Sequence, residues 1–342
     1  MVVKKKEHID DVQPKTVDDH FELIMNDKEV IDEEPADLSS EDLPEWYEER
    51  LFKIGQEYYK NNKLAFAVAS LTGVMAVLSN PDILKILIYT KQSGTQCTAF
   101  RRYLETLLHM YTWYTCDVTD ITSRWYKSLN TIRWKHSSNS KRSRVAGYGA
   151  ITQRDMVLTQ FGFFGFILVE PKKLGILSSP EELEGINHYW RVFGHMIGIS
   201  DRFNLCRKNA AETTKLCYRI QREVYRKYFE NVSKEFEKMC EVLVNGLWIT
   251  DLSLDYDALM YFTYSLVNVP YKKPLGLYSW LNHKYRVTVL YLCSVPIIGY
   301  LMRTYFNYFL TLNYWLMENF PILPIIRFGR KESRINLYPK YH

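Results

Sequence analysis

Three short stretches of this chain carry helix-start signals, and each stands directly ahead of an apolar segment. Ser79-Asn80-Pro81-Asp82 supplies a polar cap, a proline for the first turn and an acid facing the helix dipole. Thr152-Gln153-Arg154-Asp155 and Ser179-Pro180-Glu181-Glu182 each set a hydroxyl three residues before an acid, the spacing of a reciprocal capping box. The apolar runs 156–169, closed by Pro171, and 190–199 follow them. Residues 64–78 form a further apolar run, and another helix is expected from near Thr98 to about Cys116. Thr119 or Asp120 can cap the next, whose Trp125, Leu129, Ile132 and His136 recur at near-helical spacing. Tyr218, Val224, Phe229, Phe236 and Leu243 predict one long amphipathic helix over 208–244. No run alternates apolar and polar residues between hairpin turns, and no internal repeat occurs. The expected class is therefore all-α, with one large helical domain over residues 45–320 and a short tail over 321–342.

Hydrophobic residues make up 47% of the chain and aromatics 15%, enough to fill a wide core and line a roomy apolar pocket. Charge is unevenly placed. Residues 1–50 hold 17 Asp and Glu against six Lys and Arg, a net −11 in a chain of net +5, so the remainder carries +16. With little apolar material, residues 1–44 read as a mobile, solvated acidic arm. The basic residues are scattered without an aromatic-laced stripe, which argues against a nucleic-acid partner and leaves an anionic membrane surface open. The six cysteines are irregularly spaced and form no CxxC, so neither a disulfide framework nor a structural zinc site is expected. Behind Met1-Val2-Val3 come three lysines rather than an apolar leader, so an intracellular protein is expected. Residues 137–149, rich in Ser, Lys, Arg and Gly, read as an exposed loop. The uncharged run 287–302 is shorter than the ~20 residues a span needs, which predicts a buried core helix. Tyr278, Trp280, Tyr285, Tyr305, Tyr308 and Trp315 around it keep a membrane-inserted or interfacial helix as the alternative.

Two groups of residues could carry chemistry. Arg102 and Thr106 lie four apart, on one helix face with Glu105 and His109 nearby; such a face can hold a carboxylate, for instance a porphyrin propionate, or polarise bound oxygen. His136 continues the stripe of Trp125, Leu129 and Ile132, so it should face the core as a neutral imidazole able to ligate iron. Arg133 precedes it by a turn and could answer a propionate. His188 and His195 lie seven apart but lack a carboxylate ligand, and packing is their expected role. No nucleophile elbow, phosphate loop, dinucleotide fingerprint or HExxH motif occurs.

The order Arg-x-x-x-Thr at 102–106, then Arg-x-x-His at 133–136, resembles the catalytic domain of the latex-clearing rubber oxygenases and the ER-bound oxygenases that cleave a prenyl side chain. Asn80-Pro81-Asp82-Ile83-Leu84, Gln160-Phe161-Gly162-Phe163 and Asn187–Gly194 agree with it, and the similarity covers roughly residues 55–210. The resemblance implies a globin-like haem-binding core with haem b ligated by His136 and surrounded by Arg102, Thr106 and Arg133. It implies insertion of dioxygen at a carbon–carbon double bond of an apolar isoprenoid or lipid-like substrate. It also implies a place at the endoplasmic reticulum membrane, with the cytoplasm as the alternative. One position departs from the pattern. Latex-clearing enzymes carry a lysine just before the motif threonine, and this chain has Glu105, which could act instead as a distal acid or base. That departure leaves a second use of the fold open, as a catalytically idle scaffold or a haem or lipid carrier.

Overall fold

The computed structural model describes residues 8–339. In chain order its helices are α1 (Ile9–Val12), α2 (Val17–Asn26), α3 (Glu49–Asn61), α4 (Lys63–Leu78), α5 (Pro81–Thr90), α6 (Gln96–Thr115), α7 (Arg124–Val145) and α8 (Gln153–Val169). They continue as α9 (Pro180–Ile197), α10 (Ala210–Ile220), α11 (Arg226–Glu230), α12 (Lys234–Leu247), α13 (Tyr256–Leu266), α14 (Leu277–Ser294), α15 (Ile298–Asn319) and α16 (Ile322–Phe328). Among the described residues strand pairing is limited to one isolated bridge, Val30 with Thr152. The chain is all-α.

The three start signals act as read. Asn80 caps α5 by accepting from the Asp82 amide, and complete capping boxes open α8 (Thr152 with Asp155) and α9 (Ser179 with Glu182). Asp120 instead accepts from Thr122 in a local turn, and Ser123 caps α7. Two helix crossings at the centre depend on missing side chains. A Cβ added to Gly73 of α4 would lie 1.7 Å from the Gly162 carbonyl oxygen of α8, so these helices touch backbone to backbone. Gly55 of α3 meets Gly185 of α9 in the same way, at 2.6 Å. Beside them Tyr59, Tyr114 and Tyr189 stack with centroids 3.9 and 4.5 Å apart, and Trp190 Nε1 donates to the Tyr114 hydroxyl at 2.8 Å.

Four expectations need correction. Residues 137–145 are not a loop: α7 continues to Val145, because Ser137, Ser140 and Ser143 form a buried small-residue face. The Ser140 hydroxyl donates to Glu33 (2.9 Å) and accepts from the Ile151 amide (3.0 Å). The acidic arm, outside the undescribed residues 1–7, is likewise bound to the body. Glu33 pairs with Arg144 at 2.6 Å, Glu34 with Lys141 at 2.7 Å, Asp27 with Arg202 at 3.0 Å, and Asp10 with Arg191. The arm's −11 meets the body's +16, and the arm also buries Phe21, Ile24 and Ile31 in the main core. The 208–244 helix is interrupted by a π-helical turn at Gln221–Tyr225 and again at Asn231 before the Ser233 cap of α12. Finally, 287–302 is no core helix. It ends α14, bends by 116° and begins α15, and much of it is exposed. Pro296 stands at the bend, and Ile297 beside it takes φ 64°. The tail also packs, with Leu337 buried against Phe100, Leu104 and Tyr314.

Candidate active site

A largely apolar cavity of about 260 Å³ lies between α4, α5, α6, α7, α8 and α9. Phe163 of α8 and Trp190 and Phe193 of α9 form much of its aromatic wall; Val74 and Leu78 come from α4. The polar groups that converge on it come mainly from α6 and α7.

His136 lines this cavity. Its position follows from the α7 stripe: Trp125 and Leu129 are fully buried, and the imidazole continues their face. Burial, then the charges of Arg102, Arg133 and Lys135, push its pKa down to about 4, so the ring is neutral at pH 7. Its Nδ1 is buried with no hydrogen-bond partner. A neutral, desolvated imidazole facing an apolar cavity is the donor that haem proteins use. Among the described residues no three His, Cys, Asp or Glu gather to hold a bare ion, so a single histidine fits a metal already carried by a macrocycle.

Arg102, Glu105, Thr106 and His109 of α6 line the same cavity, as their spacing predicts. Arg102 Nη1 lies 3.4 Å from the hydroxyls of both Thr90 and Ser93, and among the described residues no carboxylate pairs with it, which leaves its charge for an anionic group. Thr106 Oγ1 donates to the Arg102 carbonyl at 3.1 Å, the back-bond of a helical threonine. Glu105 is taken up by Lys135, Nζ to Oε2 2.8 Å. His109 Nδ1 bonds the Ser128 hydroxyl at 2.7 Å, and burial drives its pKa to about 3, which gives the wall a second neutral imidazole.

Arg133 does not join this group. Its Nη1 donates to the Met196 carbonyl at 3.0 Å and its Nη2 to Ala36 at 3.4 Å, and it is not part of the cavity wall. The last carbonyls of α9 draw the guanidinium as any helix C-terminus draws a cation. Its charge still helps keep His136 neutral. His188 accepts from the Glu48 amide at 2.9 Å and His195 pairs with Asp201 at 2.7 Å, both in packing roles.

Sequence reasoning missed Asp155 and Lys135. Asp155 was read as a cap, and it is one: its Oδ2 accepts from the Thr152 amide and hydroxyl, both at 2.9 Å. It also lines the cavity, where burial pushes its carboxyl up. Lys135 stood next to His136 in sequence without any pattern marking it.

Fold and site together define an all-helical protein with a largely apolar cavity whose wall carries two neutral imidazoles, His136 and His109. The chain belongs to the family described as ER-bound oxygenase mpaB/B'/Rubber oxygenase, catalytic domain, whose model matches residues 56–287. No curated protein sequence matches the chain significantly. Among solved structures, that of latex clearing protein in its closed state shares the fold with a TM-score of 0.59 at 16% identity, covering 86% of this chain and 85% of that one.

Proposed function

We propose that the chain is a haem b-dependent oxygenase that uses dioxygen to cleave a carbon–carbon double bond in an apolar, isoprenoid or lipid-like substrate, at an endoplasmic reticulum membrane. The observation that carries this reading is the neutral, unpartnered imidazole of His136 in the cavity wall. His136 would ligate the iron and Arg102 would meet a propionate. When bound, haem supplies dioxygen activation. The chain itself supplies three things. Phe163, Trp190 and Phe193 exclude water and shape the space for an apolar chain. Thr106 and Glu105 place a hydroxyl and an ion-paired carboxylate on the same wall. Asp155 places there a buried carboxyl whose other oxygen has capacity to accept a proton. Reconstitution with haem b, followed by assay for carbonyl products from isoprenoids under oxygen, tests the reading. A haem-loaded protein without product would make it a carrier, and failure to take up haem would end the proposal.

A further inference from the structure

Exposed apolar side chains are concentrated in one part of the surface. Of the 31 large hydrophobic residues exposed in the described structure, 20 fall within residues 277–326, which make up α14, α15 and most of α16. Ile297 is 82% exposed, Tyr308 75% and Tyr300 68%. Ile297 stands at the tip of the α14–α15 bend with φ 64°, a costly conformation for a β-branched residue. A lone exposed isoleucine would mean nothing, but this one stands within a concentration of exposed apolar side chains of the kind that marks an interaction surface.

Charge says what covers it. Residues 271–334 hold nine Lys and Arg against two Glu and no Asp. Lys272, Lys273 and Lys284 stand exposed at one flank, and Arg327, Arg330 and Lys331 at the other. A second copy of the chain would bring these like charges together around a shared two-fold axis. An anionic lipid surface complements them, and Tyr and Trp are the side chains that settle at its headgroup level. No single described helix is long and apolar enough to cross a membrane; α14 and α15 are so only as a pair bent by 116°, and that bend with exposed Ile297 at its tip suits a face set against the bilayer.

Behind this face lies a second cavity of about 250 Å³, walled by α4, α6, α14 and α15. Tyr285, Tyr305 and Phe309, themselves exposed, stand at its outer end. At its inner end Val74, Tyr103, Thr106 and Phe163 line both this cavity and the one holding His136.

We propose that the α14–α16 face docks on an anionic lipid bilayer, and that the second cavity is the passage by which a bilayer-dissolved apolar chain reaches the His136 cavity. The docking stands independently; the passage rests on the oxygenase reading. Flotation of the full chain tests the docking, with phosphatidylcholine vesicles and with phosphatidylcholine–phosphatidylserine vesicles. Binding is stronger on the mixed vesicles, brominated lipid quenches the fluorescence of Trp280 and Trp315, and Tyr300→Asp with Tyr308→Asp weakens binding by about tenfold without lowering the melting temperature. Absence of binding, or equal binding by the double variant, overturns it. So does a dimer in light scattering that the double variant abolishes, which would assign the face to a second copy. Dansyl-tagged farnesol in the same vesicles tests the passage. Its blue-shifted uptake falls about tenfold in Leu71→Trp, or in Leu107→Phe should the first variant melt early, while vesicle binding is unchanged. Unchanged uptake in a folded variant overturns the passage. Neither readout needs haem, so a chain that passes both yet takes up no haem on titration would end the oxygenase reading and leave the surface assigned.

Discussion

Lys135 of α7 and Glu105 of α6 meet at 2.8 Å on the wall of the cavity that His136 faces. The pair joins the two helices that supply the polar groups of the site, and it neutralises one of three cations near that imidazole. Both side chains are about one quarter exposed, so their coupling should be that of a partly screened pair, about 1 kcal/mol. A double-mutant cycle of Glu105→Gln and Lys135→Met, read by denaturant unfolding, measures it. A coupling near zero would show that the pair does not tie α6 to α7.

The α4–α8 crossing is expected to be the least tolerant place in the fold. Gly73→Ala would drive a methyl group to 1.7 Å from the Gly162 carbonyl oxygen, backbone that cannot move aside alone. The predicted loss is about 3 kcal/mol or more, seen as a lowered melting temperature. A Gly73→Ala protein with wild-type melting would mean that the helices do not cross there.

Acid should weaken the fold through its buried histidines. His20, His109 and His136 have folded pKa values near 3, 3 and 4, against an ordinary value of 6.5. These groups are depressed bases, so their contribution is whole above pH 6.5. It is lost as the pH falls from 6.5 toward 4, because the unfolded chain takes up protons that the folded one refuses. Asp155, whose carboxyl is raised, works in the opposite sense and offsets part of the loss. Denaturant midpoints should drop between pH 7 and pH 5 by an amount equivalent to about 1–2 kcal/mol per histidine. Midpoints that hold steady across that window would show these rings to be solvated.

Ser140 anchors the acidic strap. Its hydroxyl bridges Glu33 and the Ile151 amide, so Ser140→Val leaves the half-buried Ile151 amide without its acceptor, while Glu33 keeps its bonds from Arg144. A cost of about 1–3 kcal/mol is expected, with faster amide exchange at Ile151. Exchange unchanged from wild type would remove the strap's dependence on this contact.

Local chemistry was legible where it acts over a few residues. The caps at Asn80, Thr152 and Ser179, the periodicity that turns His136 inward, and the shared face of Arg102 and Thr106 all stand as read from the chain. Long-range contacts were not legible. Ser137, Ser140 and Ser143 look like loop residues until their burial, and the Glu33 that Ser140 meets, are known. The acidic arm looks solvated until Arg144, Lys141, Arg191 and Arg202 are seen opposite it. Arg133 illustrates the same limit at the site: its spacing from His136 was right for a shared role, and the C-terminus of α9 took it away. The run 287–302 reads as one helix, and the bend at Pro296 divides it between α14 and α15.

On the proposed reading, His136 is the residue through which this chain holds haem. Titration of purified protein with haem b, followed in the Soret region, tests it most directly in the wild type, His136→Ala and His109→Ala. Tight uptake is expected of the wild type and of His109→Ala, and affinity lower by about tenfold or more of His136→Ala, whose melting temperature without haem stays at the wild-type value. Equal haem uptake by His136→Ala, or loss of uptake in His109→Ala alone, would contradict it.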